Sequence, residues 1–261
     1  MATYYAKKAL QVLCEEGPVE FTKRSKDFLL WGKILSKNRR FRVRTLKNYY
    51  ESKAIFDAPA DPHKLIWVNP KQIKYSNNSI CKVCGLGQIE SGKWDEDKTL
   101  WRETWRYRGL QERFVDGLAW EDTVYLDYYE KKLDRTGRAS GCTSLEEFLD
   151  VRCRYLDELY QELQENGYAV DNSKRVKKET RVTWKDPYEP FASITRSGEI
   201  HVNEGNHRRA LAEFAGIEKI PLNVLVRHKQ WQALRDEVYN NGLPEGREDL
   251  RDHPDTEDCL K

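Results

Sequence analysis

Glu199-Ile200-His201-Val202-Asn203-Glu204-Gly205-Asn206-His207-Arg208-Arg209-Ala210-Leu211-Ala212-Glu213-Phe214-Ala215-Gly216 passes from one periodicity to another within a short run. Ile200 and Val202 alternate with His201 and Asn203, the period of a half-buried strand. Glu204-Gly205-Asn206 interrupts that period with turn-forming residues. Ala210, Leu211, Phe214 and Ala215 then recur at helical spacing, and Gly216 stands where a left-handed residue closes a helix. The pattern predicts strand, tight turn, helix.

The charge of this helix start is unusual. His207, Arg208 and Arg209 fall in its first turn, where unpaired N–H groups already carry about half a positive charge. Cations there cost a few tenths of a kcal/mol each, unless an anion is shared between the amides and the basic side chains. Two readings stand side by side: a phosphate cradle, or solvent-facing arginines with Arg209 pairing to Glu213 one turn on.

Glu204-Gly205-Asn206-His207-Arg208-Arg209-Ala210 resembles the signature box of the ParB/sulfiredoxin-like superfamily, in which a strand runs into Gly-x-His/Arg-Arg at the start of a helix that binds nucleotide phosphates. Leu65 to Ile73 resembles the family's opening strand, Leu159 to Gly167 the helix before its Gly-containing turn, and Leu222 to Val226 the strand that follows the box. The likeness covers about 65–75 and 155–231, with an insertion between. It implies an α+β fold: a small mixed sheet with packed helices, a helical insertion at about 94–140 and an N-terminal helical basic arm. It also implies a nucleotide ligand, ATP or CTP with Mg2+, its phosphates held by Gly205, Asn206, His207, Arg208 and Arg209. Glu204 would be the acid–base or magnesium-linked group, since phosphoryl transfer needs cations around the developing charge and a carboxylate to orient nucleophile or metal.

Departures narrow the expectation. Asn206 stands where sulfiredoxins carry the catalytic Cys, so sulfinic-acid reduction is not expected. Too few residues follow Trp231 for the helix-turn-helix of chromosome-partitioning proteins. Glu204, His207 and Arg208 match the acidic residue and His-Arg pair of the free-serine kinases. The expected function is nucleotide or phosphate binding, with phosphotransfer or NTP hydrolysis as its catalytic form; the alternative is a non-catalytic DNA- or RNA-associated module.

Across 261 residues, 39% are hydrophobic and 34% charged, a polar composition. No apolar run is long enough for a transmembrane helix, and the first residues lack the apolar core of a secretory signal, so a cytoplasmic location is expected. Of six cysteines only Cys81-Lys82-Val83-Cys84 has metal-type spacing. No second pair completes a four-ligand zinc site, although Cys142 and Cys153 could contribute. Redox use is the other alternative, and an exposed turn with two reduced thiols is the favoured reading.

Charge is unevenly spread. From Lys23 to Lys47 ten cations face the single acid Asp27. Aromatic and aliphatic residues interleave with them, a pattern that suits a nucleic-acid backbone, the surface of an anionic membrane, or a docking helix with a solvated basic face. Arg39, Arg40, Arg42 and Arg44 are the candidate nucleic-acid ligands. Beyond Gly242 acids dominate, and a mobile tail is expected at 241–261.

Ala58-Pro59-Ala60-Asp61-Pro62 is the clearest candidate boundary, dividing an arm at 1–58 from a main domain at 59–240. Residues 4–16 read as a short helix and 71–92 as irregular. Ser91-Gly92-Lys93-Trp94-Asp95 reads either as a pocket edge, making Asp95 a second catalytic candidate, or as a plain helix entry. The aromatics from Trp101 to Tyr129 predict a helical hairpin broken at Asp116-Gly117, with the rings as core. Thr143-Ser144-Leu145-Glu146-Glu147 is a capping box opening a helix that ends at Gly167. A charged loop (Asp171 to Thr180) and strands at Arg181 to Trp184 and Phe191 to Thr195 precede a hairpin turn at Arg196-Ser197-Gly198. A buried strand is expected at Lys219 to Val226, then Arg227, His228 and Lys229, which either reach a phosphate or, the favoured reading, face water, then a closing helix from Trp231 to Tyr239.

Overall fold

The computed structural model describes residues 18, 21, 22, 37–170 and 188–260. The expected helix at 4–16, the charged loop, the strand at Arg181 to Trp184 and most of the basic stretch before Lys37 lie outside the described residues.

The fold is mixed α+β, built on a seven-stranded mixed sheet. Its strands are β1 (Ile66–Val68), β2 (Tyr75–Ser76), β3 (Gln88–Glu90), β4 (Thr99–Leu100), β5 (Phe191–Ile194), β6 (Ile200–Glu204) and β7 (Ile220–His228). They lie in the order β1-β7-β5-β6-β2-β4, with β3 beside the far half of β7. β5 and β6 form the expected antiparallel hairpin, Ile194 opposite Ile200 and Ser193 opposite His201. β7 is buried at every position, as expected of a central strand covered on both faces.

Phe191 belongs to one apolar cluster, while Ala192 and Ile194 belong to the other. Alternate side chains of a strand point to opposite faces, so each face has its own core. The larger is covered by α2 (Trp105–Phe114), α3 (Val124–Thr136), α5 (Arg154–Asn166) and α6 (Asn206–Phe214). The hairpin of α2 and α3 forms as its aromatic spacing predicts, with Trp101, Tyr107, Trp120, Tyr125 and Tyr129 buried. The capping box also forms: Ser144 Oγ accepts from Glu147 N at 3.1 Å, and a Glu147 carboxylate oxygen accepts from Thr143 N at 2.7 Å. It opens α4 (Leu145–Phe148), which joins α5 through a π-helical segment, Leu149–Cys153.

The smaller core lies under α1 (Lys37–Ile55). Here Phe41 packs on Tyr188 and Phe191, Thr45 Oγ1 accepts from Leu86 N at 2.9 Å, and Asn48 Nδ2 donates to the carbonyls of Cys84 and Leu86. The helical end of the arm is thus docked on the sheet. The proline stretch is not a free linker: Ala58 N donates to Asp236 Oδ1 at 2.9 Å, and Gln232 donates to Ala58 O. These partners lie on α7 (Lys229–Asn241), far away in sequence, and local composition carries no sign of them.

Two further expectations are overturned. Arg227 and His228 are buried, each 3% exposed, rather than facing water. The tail is not loose: Leu250, Asp255, Thr256 and Cys259 are all buried. Asp255 binds Arg227 Nε at 2.9 Å and Trp231 Nε1 at 2.8 Å, and Arg235 lies 3.4 Å away. One acid in an acid-rich segment therefore neutralises cations of β7 and α7, which fixes the segment that composition marks as mobile. The region 71–92 likewise holds β2 and β3, strands too short to show a period.

Candidate functional site at the start of helix α6

β6 ends at Glu204, and Gly205 turns the chain with φ +92°. A Cβ at Gly205 would lie 2.7 Å from Pro190 Cβ, so both backbone conformation and space require glycine. α6 opens without a side-chain cap and without an acid in its first turn. Arg209 N donates to Gly205 O at 3.1 Å, the first bond of the helix. The amides of Asn206, His207 and Arg208 precede that bond and have no intrahelical acceptor.

The side chains of this turn face inward. Asn206 Oδ1 accepts from Ser76 Oγ at 3.0 Å, tying the helix to β2. His207 Nε2 meets the Tyr125 hydroxyl at 3.1 Å. Burial, reinforced by Arg152 and Arg106, holds its pKa well below the usual 6.5, so the imidazole is neutral at pH 7. Arg208 donates from Nη1 to Glu189 at 3.1 Å and from Nη2 to Tyr188 O at 2.7 Å. Glu189 also accepts from the Tyr168 hydroxyl at 2.6 Å.

Arg209 is fully buried, 0% exposed. Its guanidinium lies 4.6 Å over the Trp101 ring and donates from Nη1 to Tyr75 O at 3.4 Å. Nε and Nη2 have no hydrogen-bond partner. Burial lowers its pKa from 12.5 to about 9. The Arg209–Glu213 pair of the alternative reading does not form, because Glu213 instead accepts from Arg102 at 2.7 Å and from the Tyr107 hydroxyl at 3.2 Å. Glu204 faces Lys82 Nζ at 3.4 Å, both side chains about two-fifths exposed.

The other candidates are placed apart. Asp95, 6% exposed, accepts from Arg196 N at 3.2 Å and Nε at 2.8 Å. The hydrogen bonds from Arg196 hold its carboxyl down to about 2. Asp95 therefore fastens the turn before β6, whereas the box lies after it, and among the described residues no hydrogen bond or ion pair joins the two. The arginines of the arm divide: Arg39 and Arg42 are exposed and Arg40 is half-buried. Arg44 is 6% exposed and donates to Val83 O, which turns it away from any external polyanion.

Sequence reasoning missed Ser76, Lys82, Tyr188 and Glu189, the residues that hold the box in place. They are single polar positions in short or irregular segments, without a pattern to mark them. Trp101, by contrast, stands in the aromatic run read as core. No protein-family model matches the chain, and no curated protein or solved structure matches it.

Proposed function

We propose that this chain binds a nucleotide or another phosphate-bearing anion at the start of α6, in a ParB/sulfiredoxin-like arrangement. The observation that carries this reading is Arg209, a fully buried guanidinium with two unpartnered nitrogens just behind an uncapped helix start. A buried charge without a counter-ion is costly, and donors left unsatisfied in the interior add to that cost. An anion on the amides that open α6, those of Asn206 and His207 first, would offset both the helix dipole and the Arg209 charge. The amides are the direct contacts, since the His207 and Arg208 side chains are already engaged with protein and Arg209 is fully buried behind them.

Among the described residues no group of three His, Cys, Asp or Glu side chains could hold a metal ion. Magnesium would therefore arrive with the phosphates, as it does where one carboxylate and the substrate share it, and Glu204 is the carboxylate of the box in reach of solvent. In a catalytic form Glu204 would orient the nucleophile or that ion, and Asp95 has no part in it.

A thermal-shift series with ATP, ADP, CTP, GTP and inorganic pyrophosphate, each with and without magnesium, tests the proposal. A ligand at about a hundred times its dissociation constant stabilises by about 2.7 kcal/mol. No shift with any of the five overturns it.

A second reading, association with nucleic acid, is favoured by one face of α1. Arg39 and Arg42 lie one turn apart and run into Leu46 and Tyr50, which are 54% and 67% exposed. A bare aromatic beside cations offers a stacking surface to single strands. Replacing both arginines by glutamine is expected to flatten the salt dependence of DNA binding by up to about 0.9 log units per lost phosphate contact. An unchanged slope removes α1 from this role.

A further inference from the structure

Cys81 and Cys84 are the remaining motif without a role. Cys84 N donates to Cys81 O at 3.0 Å, which closes a four-residue turn around Lys82 and Val83. Such a turn brings its end Cα atoms within about 7 Å, and a disulfide spans Cα separations of about 4.4–6.8 Å. The two sulfurs act electrostatically on one another, and the Arg44 guanidinium acts on both. Arg44 donates to Val83 O, and Asn48 donates to Cys84 O at 3.0 Å, so α1 grips the turn from behind. Cys81 is exposed, while Cys84 lines an open groove of ≈ 500 Å³ with Lys47, Gln88 and Lys229.

These features limit what the pair can do. No third metal-ligating side chain joins it among the described residues, so two neighbouring thiols are the whole chemical resource. Lys82, the first of the two residues between them, places its Nζ 3.4 Å from Glu204 at the mouth of the box.

We propose that Cys81 and Cys84 form a reversible dithiol–disulfide site, and that closing it moves Lys82 relative to Glu204. With a low-molecular-weight disulfide as oxidant, the Cys81 thiolate attacks one sulfur and expels a thiolate, leaving a mixed disulfide. Cys84 then loses its proton to solvent and attacks Cys81 Sγ, expelling the second thiolate. The protein loses two protons and two electrons, and the oxidant takes them up to become two thiols. Burial raises the Cys84 pKa to about 12, which keeps it protonated and leaves the first attack to the exposed Cys81. The Arg44 guanidinium works against that rise at Cys84 and favours its thiolate as it forms. Disulfide formation does not depend on phosphate binding; its consequence for the box rests on the function proposed above.

The test uses the full chain incubated with oxidised glutathione and then with dithiothreitol. Two of the six thiols should become unreactive, peptide mapping should place the bond between 81 and 84, and dithiothreitol should restore both. Cys84→Ser should instead trap one glutathione on Cys81, and Cys81→Ser should trap none there. Six thiols that stay reactive, a bond to any other cysteine, or no trapped adduct would overturn the site. The second arm follows the Glu204 carboxyl carbon by NMR without any nucleotide. A resonance that shifts on oxidation, with no shift in Lys82→Met, supports the coupling, and an unmoved resonance overturns it. Failure of phosphate binding alone leaves both readouts intact and counts against the box instead.

Discussion

Arg227 on β7 and Arg209 on α6 are both buried, 3% and 0% exposed, yet they are treated oppositely. Arg227 meets a carboxylate: Asp255 accepts from its Nε at 2.9 Å and also from Trp231 Nε1. Arg209 meets an aromatic face and one distant carbonyl, with two nitrogens unpartnered. Between them stands Arg208, paired with Glu189 but serving the same helix start as Arg209. A cation matched inside the protein has a complete structural explanation. An unmatched one, at a helix start with no side-chain cap, calls for an anion from outside the protein.

Removing the matched carboxylate should cost most. Asp255→Ala leaves Arg227 and Arg235 buried without it, and a loss of about 3–5 kcal/mol is expected in chemical denaturation. The same contact should appear in acid. The Asp255 carboxyl lies at about 2 in the folded protein against an ordinary 3.8, held down by Arg227 and Arg235 against its burial. A depressed carboxyl contributes stability that is present above about pH 4 and is lost as pH falls toward 2, an effect of about 2 kcal/mol. The gap between wild type and Asp255→Ala should therefore narrow by about 2 kcal/mol across that window, and parallel curves would show that the ion pair is not what fixes the tail.

Arg208→Ala comes next. It strands Glu189, whose side chain is 6% exposed, and a loss of about 2–3 kcal/mol is expected without any ligand. Glu189→Gln measured alongside checks the cause, since the double variant should be less unstable than the two single losses combined. Equal additivity would separate the two residues.

Arg209→Met should do least to the free protein. It exchanges a desolvated charge for an apolar chain of similar length, and stability within about 1 kcal/mol of wild type, or above it, is expected. The thermal shift with nucleotide should nonetheless shrink or vanish. Strong destabilisation without ligand would place Arg209 beside Arg227 as a purely structural residue and dissolve the contrast between them.

The strand, turn and helix around Gly205 were legible because their signals are local: a period of two, a glycine and a period near 3.6. The capping box at Ser144 and the aromatic hairpin from Trp101 to Tyr129 were legible for the same reason. Asp255 was not, because its composition resembles that of its acidic neighbours and its partners sit 24 and 28 residues away. The same holds for Arg44, whose inward turn depends on a loop 39 residues on. At the site, the basic residues could be found in sequence, but not which of them the protein itself would satisfy. That depended on Glu189, Trp101 and Glu213, each contributed by a different element.

The bond between Arg227 and Asp255 also sets an order of events during synthesis. Asp255 is added 28 residues after Arg227, and at about 5–20 residues per second that is a delay of roughly 1.5–6 s. Through that interval β7 can be made, but its arginine has no counter-charge and favours water over the interior. The far end of the central strand is therefore expected to reach its buried position only together with the later segment.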